Sequence, residues 1–140
     1  ARGVGMGAWA RGGGVAAAPA PAARAAEAGT EPWSAARVAA LQAEGRPVFV
    51  DITAAWCITC QVNERLVLNS ARVRSAFAAR NLAYLKGDWT NGDPAITALL
   101  REHGREGVPL YLLYPAGGGA PAVLPQVLTE GIVLRALEGA

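Results

Sequence analysis

Two kinds of apolar pattern take turns along this chain: short unbroken runs, and stripes spaced three and four residues apart. Pro47-Val48-Phe49-Val50-Asp51-Ile52 is apolar and β-branched with little alternation, which predicts a central strand over 48–53, covered on both faces. Leu82 to Lys86 and Leu110 to Tyr114 repeat that pattern. The turn Pro115-Ala116-Gly117-Gly118-Gly119 then leads to a short strand near 122–124.

The stripes lie between these runs. Glu31-Pro32-Trp33-Ser34 reads as a helix start with Ser34 as N-cap, followed by a helix over 35–43 with Val38 and Leu41 inward and Gly45 ending it. A second helix is predicted from Cys57 to about Leu68. Asn69-Ser70 caps a third over 71–79, with Val73 and Phe77 inward. Asp93-Pro94 pairs an N-cap with proline at the first helical position, and Ile96, Leu99 and Leu100 follow on one face until Gly104. His103 beside that glycine suits a helix C-terminus. Thr129 caps the last helix, striped by Ile132, Val133, Leu134 and Leu137. Strands joined through helices pair in parallel, and the late hairpin adds an antiparallel edge. The expected fold is therefore α/β in three layers, a central mixed sheet of about four strands flanked by helices.

Composition divides the chain in two. Of residues 1–30, 21 are Ala, Gly or Pro, and Arg2, Arg11, Arg24 and Glu27 give that stretch the whole chain's net charge of +2. Such a segment buries too little to offset the entropy of ordering it. Residues 1–30 are expected to be a flexible linker and 31–140 a single folded domain. Ten basic and ten acidic side chains balance in 31–140, which argues against a nucleic-acid footprint. No run of 18 apolar residues is present to span a bilayer.

The candidate chemistry is Trp56-Cys57-Ile58-Thr59-Cys60, which holds the only two cysteines. A strand running into Cys-x-x-Cys and then a helix is the usual setting of a redox dithiol. Residues one turn apart share a helix face, so their sulfurs can meet. The first lies at the helix N-terminus, where unpaired N–H groups favour a thiolate. Cys57 is thus the expected nucleophile, facing solvent, and Cys60 the shielded partner. Three other readings compete. Zinc needs four ligands, and beyond the cysteines only His103 is available. Haem attachment needs histidine at 61, where Gln61 stands. A purely structural disulfide closing so small a ring adds only about 2 kcal/mol. No metal and no cofactor is expected other than the redox-active disulfide Cys57–Cys60 itself.

The stretch Val48 to Cys60 resembles the thioredoxin active site, and Gly107-Val108-Pro109 resembles the cis-proline loop that faces it. Cys57 to Glu64, Asp88-Trp89-Thr90 and Gly107 to Tyr111 resemble, more narrowly, the C-terminal periplasmic domain of DsbD-type thiol:disulfide interchange reductases. The resemblance spans about residues 32–138. It implies a thioredoxin-like fold and protein-disulfide reductase activity, with a cis Val108–Pro109 peptide that shapes the partner groove beside Trp56. It also implies a periplasmic domain of a bacterial inner-membrane protein. Electrons would come from that protein's own membrane domain and pass to its N-terminal periplasmic domain, and onward to disulfide isomerases and cytochrome c maturation. The segment 1–30 would be the tether from the membrane domain, and the domain itself monomeric.

Asp51 and Glu64 match carboxylates that flank the dithiol in that family. Negative charge nearby raises a thiol's pKa, and neither Ile58 nor Thr59 supplies a compensating cation or donor. A less stabilised dithiol means a more reducing couple. A non-catalytic binding module and a dithiol oxidase or isomerase remain as alternatives.

Overall fold

The computed structural model describes residues 29–140. The segment read as a linker lies outside the described residues except at its last two positions, and Thr30 already belongs to a strand. Along the chain run β1 (Thr30–Pro32), α1 (Ala35–Ala43), β2 (Val48–Thr53), α2 (Ile58–Asn63), a π-helical turn (Glu64–Leu68), α3 (Ala71–Ala79), β3 (Ala83–Asp88), α4 (Pro94–Glu102), β4 (Leu110–Tyr114), β5 (Ala122–Val123) and α5 (Glu130–Glu138).

The sheet has five strands in the order β1-β3-β2-β4-β5. β1 and β2 both run parallel to β3, whereas β4 is antiparallel to β2 and to β5. The fifth strand corrects the expectation of about four. Thr30–Pro32 pairs with 84–86 through its backbone, so no side-chain pattern announces it, and proline is tolerated because the strand is an edge. Ser34, Ser70, Asp93 and Thr129 each accept the backbone N–H three residues on and start their helices where expected. Gly45, at φ +77°, ends the turn after α1 in a conformation other residues adopt at a cost.

Both faces of the sheet are covered. Val48, Val50 and Ile52 point to one side, where α1 and α4 supply Val38, Leu41, Ile96, Leu99 and Leu100. Phe49 points to the other, against Val67 and Leu68 of the π turn, Val73 and Phe77 of α3, and Val133 and Leu137 of α5. Phe49 also packs edge-on to Tyr84 and stacks with Tyr111, at ring distances of 5.3 and 6.0 Å. Gly87 sits where a Cβ would come within 2.7 Å of Ile52 Cδ1, so glycine lets β3 pack closely there.

One element departs from the predicted pattern. The helix expected over 57–68 changes its hydrogen bonding at Glu64, where Asn69 N–H donates to Glu64 C=O at 2.9 Å. The wider turn reorients the chain just after the dithiol, and π turns recur at functional sites.

Candidate active site

β2 ends on the dithiol. Cys57 is the N-cap of α2, in extended conformation, and its Sγ accepts the N–H of Cys60 at 3.1 Å. That backbone donor is one of the unpaired N–H groups expected at the helix N-terminus. It favours a thiolate at Cys57 and opposes the flanking carboxylates. Cys57 and Cys60 form a disulfide, their Cα atoms 5.3 Å apart. Cys57 is 8 % exposed and Cys60 2 %. The order of exposure is the expected one, but Cys57 sits in a shallow niche rather than standing free.

Ala54, Cys57 and Cys60 pack together with Val108 against them, and the Val108–Pro109 peptide is cis. Just before Cys57 in the chain, the Trp56 indole donates to the Thr90 carbonyl at 3.1 Å while the residue is 58 % exposed. Ala55 N–H donates to Thr90 Oγ1 at 2.8 Å, and Thr90 Oγ1 also bonds Asp88. The Asp88-Trp89-Thr90 segment therefore anchors the residues before the nucleophile. Trp89 itself turns inward, donating to Thr97 Oγ1 at 2.8 Å.

The two carboxylates lie in unlike settings. Asp51 is 1 % exposed, on the sheet face that carries the π turn, and accepts a hydrogen bond from Tyr84 Oη at 2.7 Å. Burial pushes its pKa up to about 6, against the opposing pull of the Tyr84 bond. Glu64 is half-buried and joined to Lys86 at 2.6 Å. A cation at contact distance offsets part of that carboxylate's field. What remains of that field acts on Asp51, raising its pKa slightly further.

Sequence reasoning gave Asn63 no role, yet it ties the dithiol helix down. Its Nδ2 donates to Tyr111 Oη and to the Gln126 carbonyl, both at 2.8 Å, and its Oδ1 accepts from Leu128 N–H at 3.1 Å. The signal was present: 60, 63 and 67 share one helical face with Cys60 and Val67, so a polar residue there had to be buried and satisfied. Asn63→Ala leaves the buried Tyr111 hydroxyl and Leu128 N–H, and the part-buried Gln126 carbonyl, without this partner. It is expected to cost about 2–4 kcal/mol in chemical denaturation; a loss below ~1 kcal/mol would show that the 124–128 loop holds without it.

Among the described residues no group of three or more His, Cys, Asp or Glu side chains is placed to hold a metal. No described helix is long and apolar enough to cross a membrane.

Paired sulfurs closing one helical turn, at the C-terminal end of a central strand, can take up and release two electrons by exchange with another disulfide. Fold and disulfide together thus assign the domain to the thiol:disulfide oxidoreductases. The chain belongs to the thioredoxin-like family, whose model matches residues 29–116. It is 37% identical over 86 residues to the thiol:disulfide interchange protein DsbD of Ralstonia nicotianae, covering 61% of this chain and 14% of that protein. It is 37% identical over 83 residues to DsbD 1 of Pseudomonas aeruginosa, covering 59% and 14%. The chain thus spans about a seventh of the length of these relatives. The oxidised C-terminal domain of Neisseria meningitidis DsbD superposes with a TM-score of 0.62 at 26% identity, covering 79% of this chain and 97% of that one. A thioredoxin from Thermus thermophilus, at 23% identity and a TM-score of 0.64, covers 79% of this chain and 86% of its own and shares the fold.

Proposed function

We propose that this domain is a protein-disulfide reductase that passes two electrons at a time through Cys57 and Cys60. The Cys57 thiolate attacks one sulfur of a partner disulfide, and the other partner sulfur leaves as a thiolate that takes a proton from water. Cys60, deprotonated, then attacks Cys57 Sγ in the mixed disulfide, which frees the second partner sulfur. The partner ends reduced, and the domain ends as the Cys57–Cys60 disulfide. The disulfide of the structure is the form left after donation, so a dithiol donor must recharge it.

The observation that carries this reading is the Cys57–Cys60 disulfide at a helix N-cap, with Val108 of the cis-proline loop packed on it. The direction is supported by Asp51, whose buried carboxyl is ionised above about pH 6 and disfavours a thiolate just beyond the end of its own strand. The likeness to DsbD proteins supports a finer version. In it the donor is the membrane domain and the acceptor the N-terminal periplasmic domain of one longer protein, anchored in the bacterial inner membrane and serving cytochrome c biogenesis. Trp56, Val108 and Pro109 would then line the groove that receives the acceptor.

The measurement that tests the reading is the reduction potential of the 140-residue chain, taken against a glutathione or dithiothreitol redox series. A value near that of thioredoxin, about −270 mV, fits a donor. A value near −120 mV, as in strong dithiol oxidants, would overturn the reductase in favour of an oxidase. A disulfide that fails to equilibrate at all would leave a binding module.

A further inference from the structure

Asp51 is framed by two tyrosines, and they treat it differently. Tyr111 is its register partner on β4, but the Tyr111 oxygen is engaged by Asn63 Nδ2. Tyr84 is the register partner of Phe49, two residues further back on β3, and its long side chain reaches diagonally to place Oη 2.7 Å from Asp51 Oδ2. The Tyr84 ring is held on all sides: edge-on to Phe49, edge-on to Phe77 at 5.8 Å, and beneath the Arg74 guanidinium at 4.8 Å. With 3 % of its surface exposed, the hydroxyl has a fixed place to donate from. A ring so confined could have been phenylalanine on packing grounds, so the buried hydroxyl calls for a polar reason.

We propose that Tyr84 is a positioning residue of the dithiol site. Its hydroxyl orients the Asp51 carboxyl and sets the pH at which that group changes charge, and through Asp51 it sets the redox balance of Cys57–Cys60. This rests on the oxidoreductase reading above.

The other groups that act on or flank Asp51 come from several elements. Lys86 of β3 and Arg74 of α3 favour the carboxylate, Glu64 of the π turn disfavours it, Tyr111 flanks it from β4, and the cysteines lie at the start of α2. Lys86 is bound to Glu64, so the two largely cancel as seen from Asp51. The short bond from Tyr84 is the chief influence left to counter burial. It stabilises the carboxylate and not the acid, since a donor O–H aimed at an oxygen gains most when that oxygen is charged.

Tyr84→Phe keeps the ring and removes only the donor. In a ¹³C-carboxyl titration of Asp51 in the full chain, the midpoint should rise by about one to two pH units, the equivalent of a lost hydrogen bond to a charged group. With half or more of Asp51 then neutral at pH 7, the equilibrium with glutathione should move toward the dithiol, by up to several-fold. In an Asp51→Asn background, Tyr84→Phe should move it no further. A midpoint unchanged within ~0.3 units overturns the proposal, as does a redox shift of equal size in the Asp51→Asn background, which would make Tyr84 a packing residue. If the wild-type chain does not exchange with glutathione, the oxidoreductase reading fails and the redox half of the proposal fails with it. Exchange by the wild type with an unmoved Asp51 midpoint would refute Tyr84 alone.

Discussion

Asp51→Asn is expected to make the domain more stable at neutral pH, by up to about 3 kcal/mol, and no more stable in acid. The folded-state pKa is about 6 against 3.8 for an ordinary aspartate. The fold therefore favours the neutral carboxyl, and the stability this gives is complete below pH 3.8. It is lost as the pH rises through 6, because the carboxylate must then be ionised without water around it. A shift of about two units, at 1.36 kcal/mol each, gives the figure. Asparagine has the same shape and can still accept from Tyr84 Oη, so little else should change. Urea denaturation of the oxidised chain at pH 3.5, 5 and 7 measures it. The difference between variant and wild type should grow across that range, and a constant difference would mean that Asp51 does not titrate in this window.

Cys57→Ala should reduce disulfide exchange to the uncatalysed background, whereas Cys60→Ala should stop the reaction halfway. Offered oxidised glutathione, the Cys60→Ala chain should collect one glutathione on Cys57, visible as a mass adduct that dithiothreitol removes. Two features fix the order of attack. Cys57 Sγ is the sulfur that receives the Cys60 N–H, which steadies the thiolate, and it is the more exposed of the pair. Cys60 lies deeper, 2 % exposed and bonded to Cys57 Sγ. An adduct forming on Cys60 of the Cys57→Ala chain at a comparable rate would reverse the assignment.

Much of this was legible in one dimension because the features are local. A serine, threonine or aspartate before an apolar stripe satisfies the first turn's amides whatever the rest of the chain does, so Ser34, Ser70, Asp93 and Thr129 announced their helices. Cys-x-x-Cys needs one turn of helix and nothing else. Features made by distant parts of the chain were hidden. β1 exists because β3 offers it an edge, and its three residues carry no periodicity. The Lys86 ammonium that offsets Glu64 comes from a strand more than twenty residues on, placed by the parallel register of β2 and β3. The Tyr84 bond to Asp51 needs the same register. The π turn adds one residue to a helical repeat, too small a slip to show in the spacing of Cys60, Val67 and Leu68.

The depth of the sulfurs carries a last consequence. A carrier of electrons works among many disulfides that could take its charge without purpose, and a dithiol standing free would discharge into any of them. Here Cys57 and Cys60 are almost wholly buried, with Ala54 and Val108 packed on them. A disulfide within a folded surface cannot come in line with Cys57 Sγ unless its own chain projects into the niche. The burial thus works as insulation: it slows leakage to bystanders by shape, leaving the current to a partner whose segment fits.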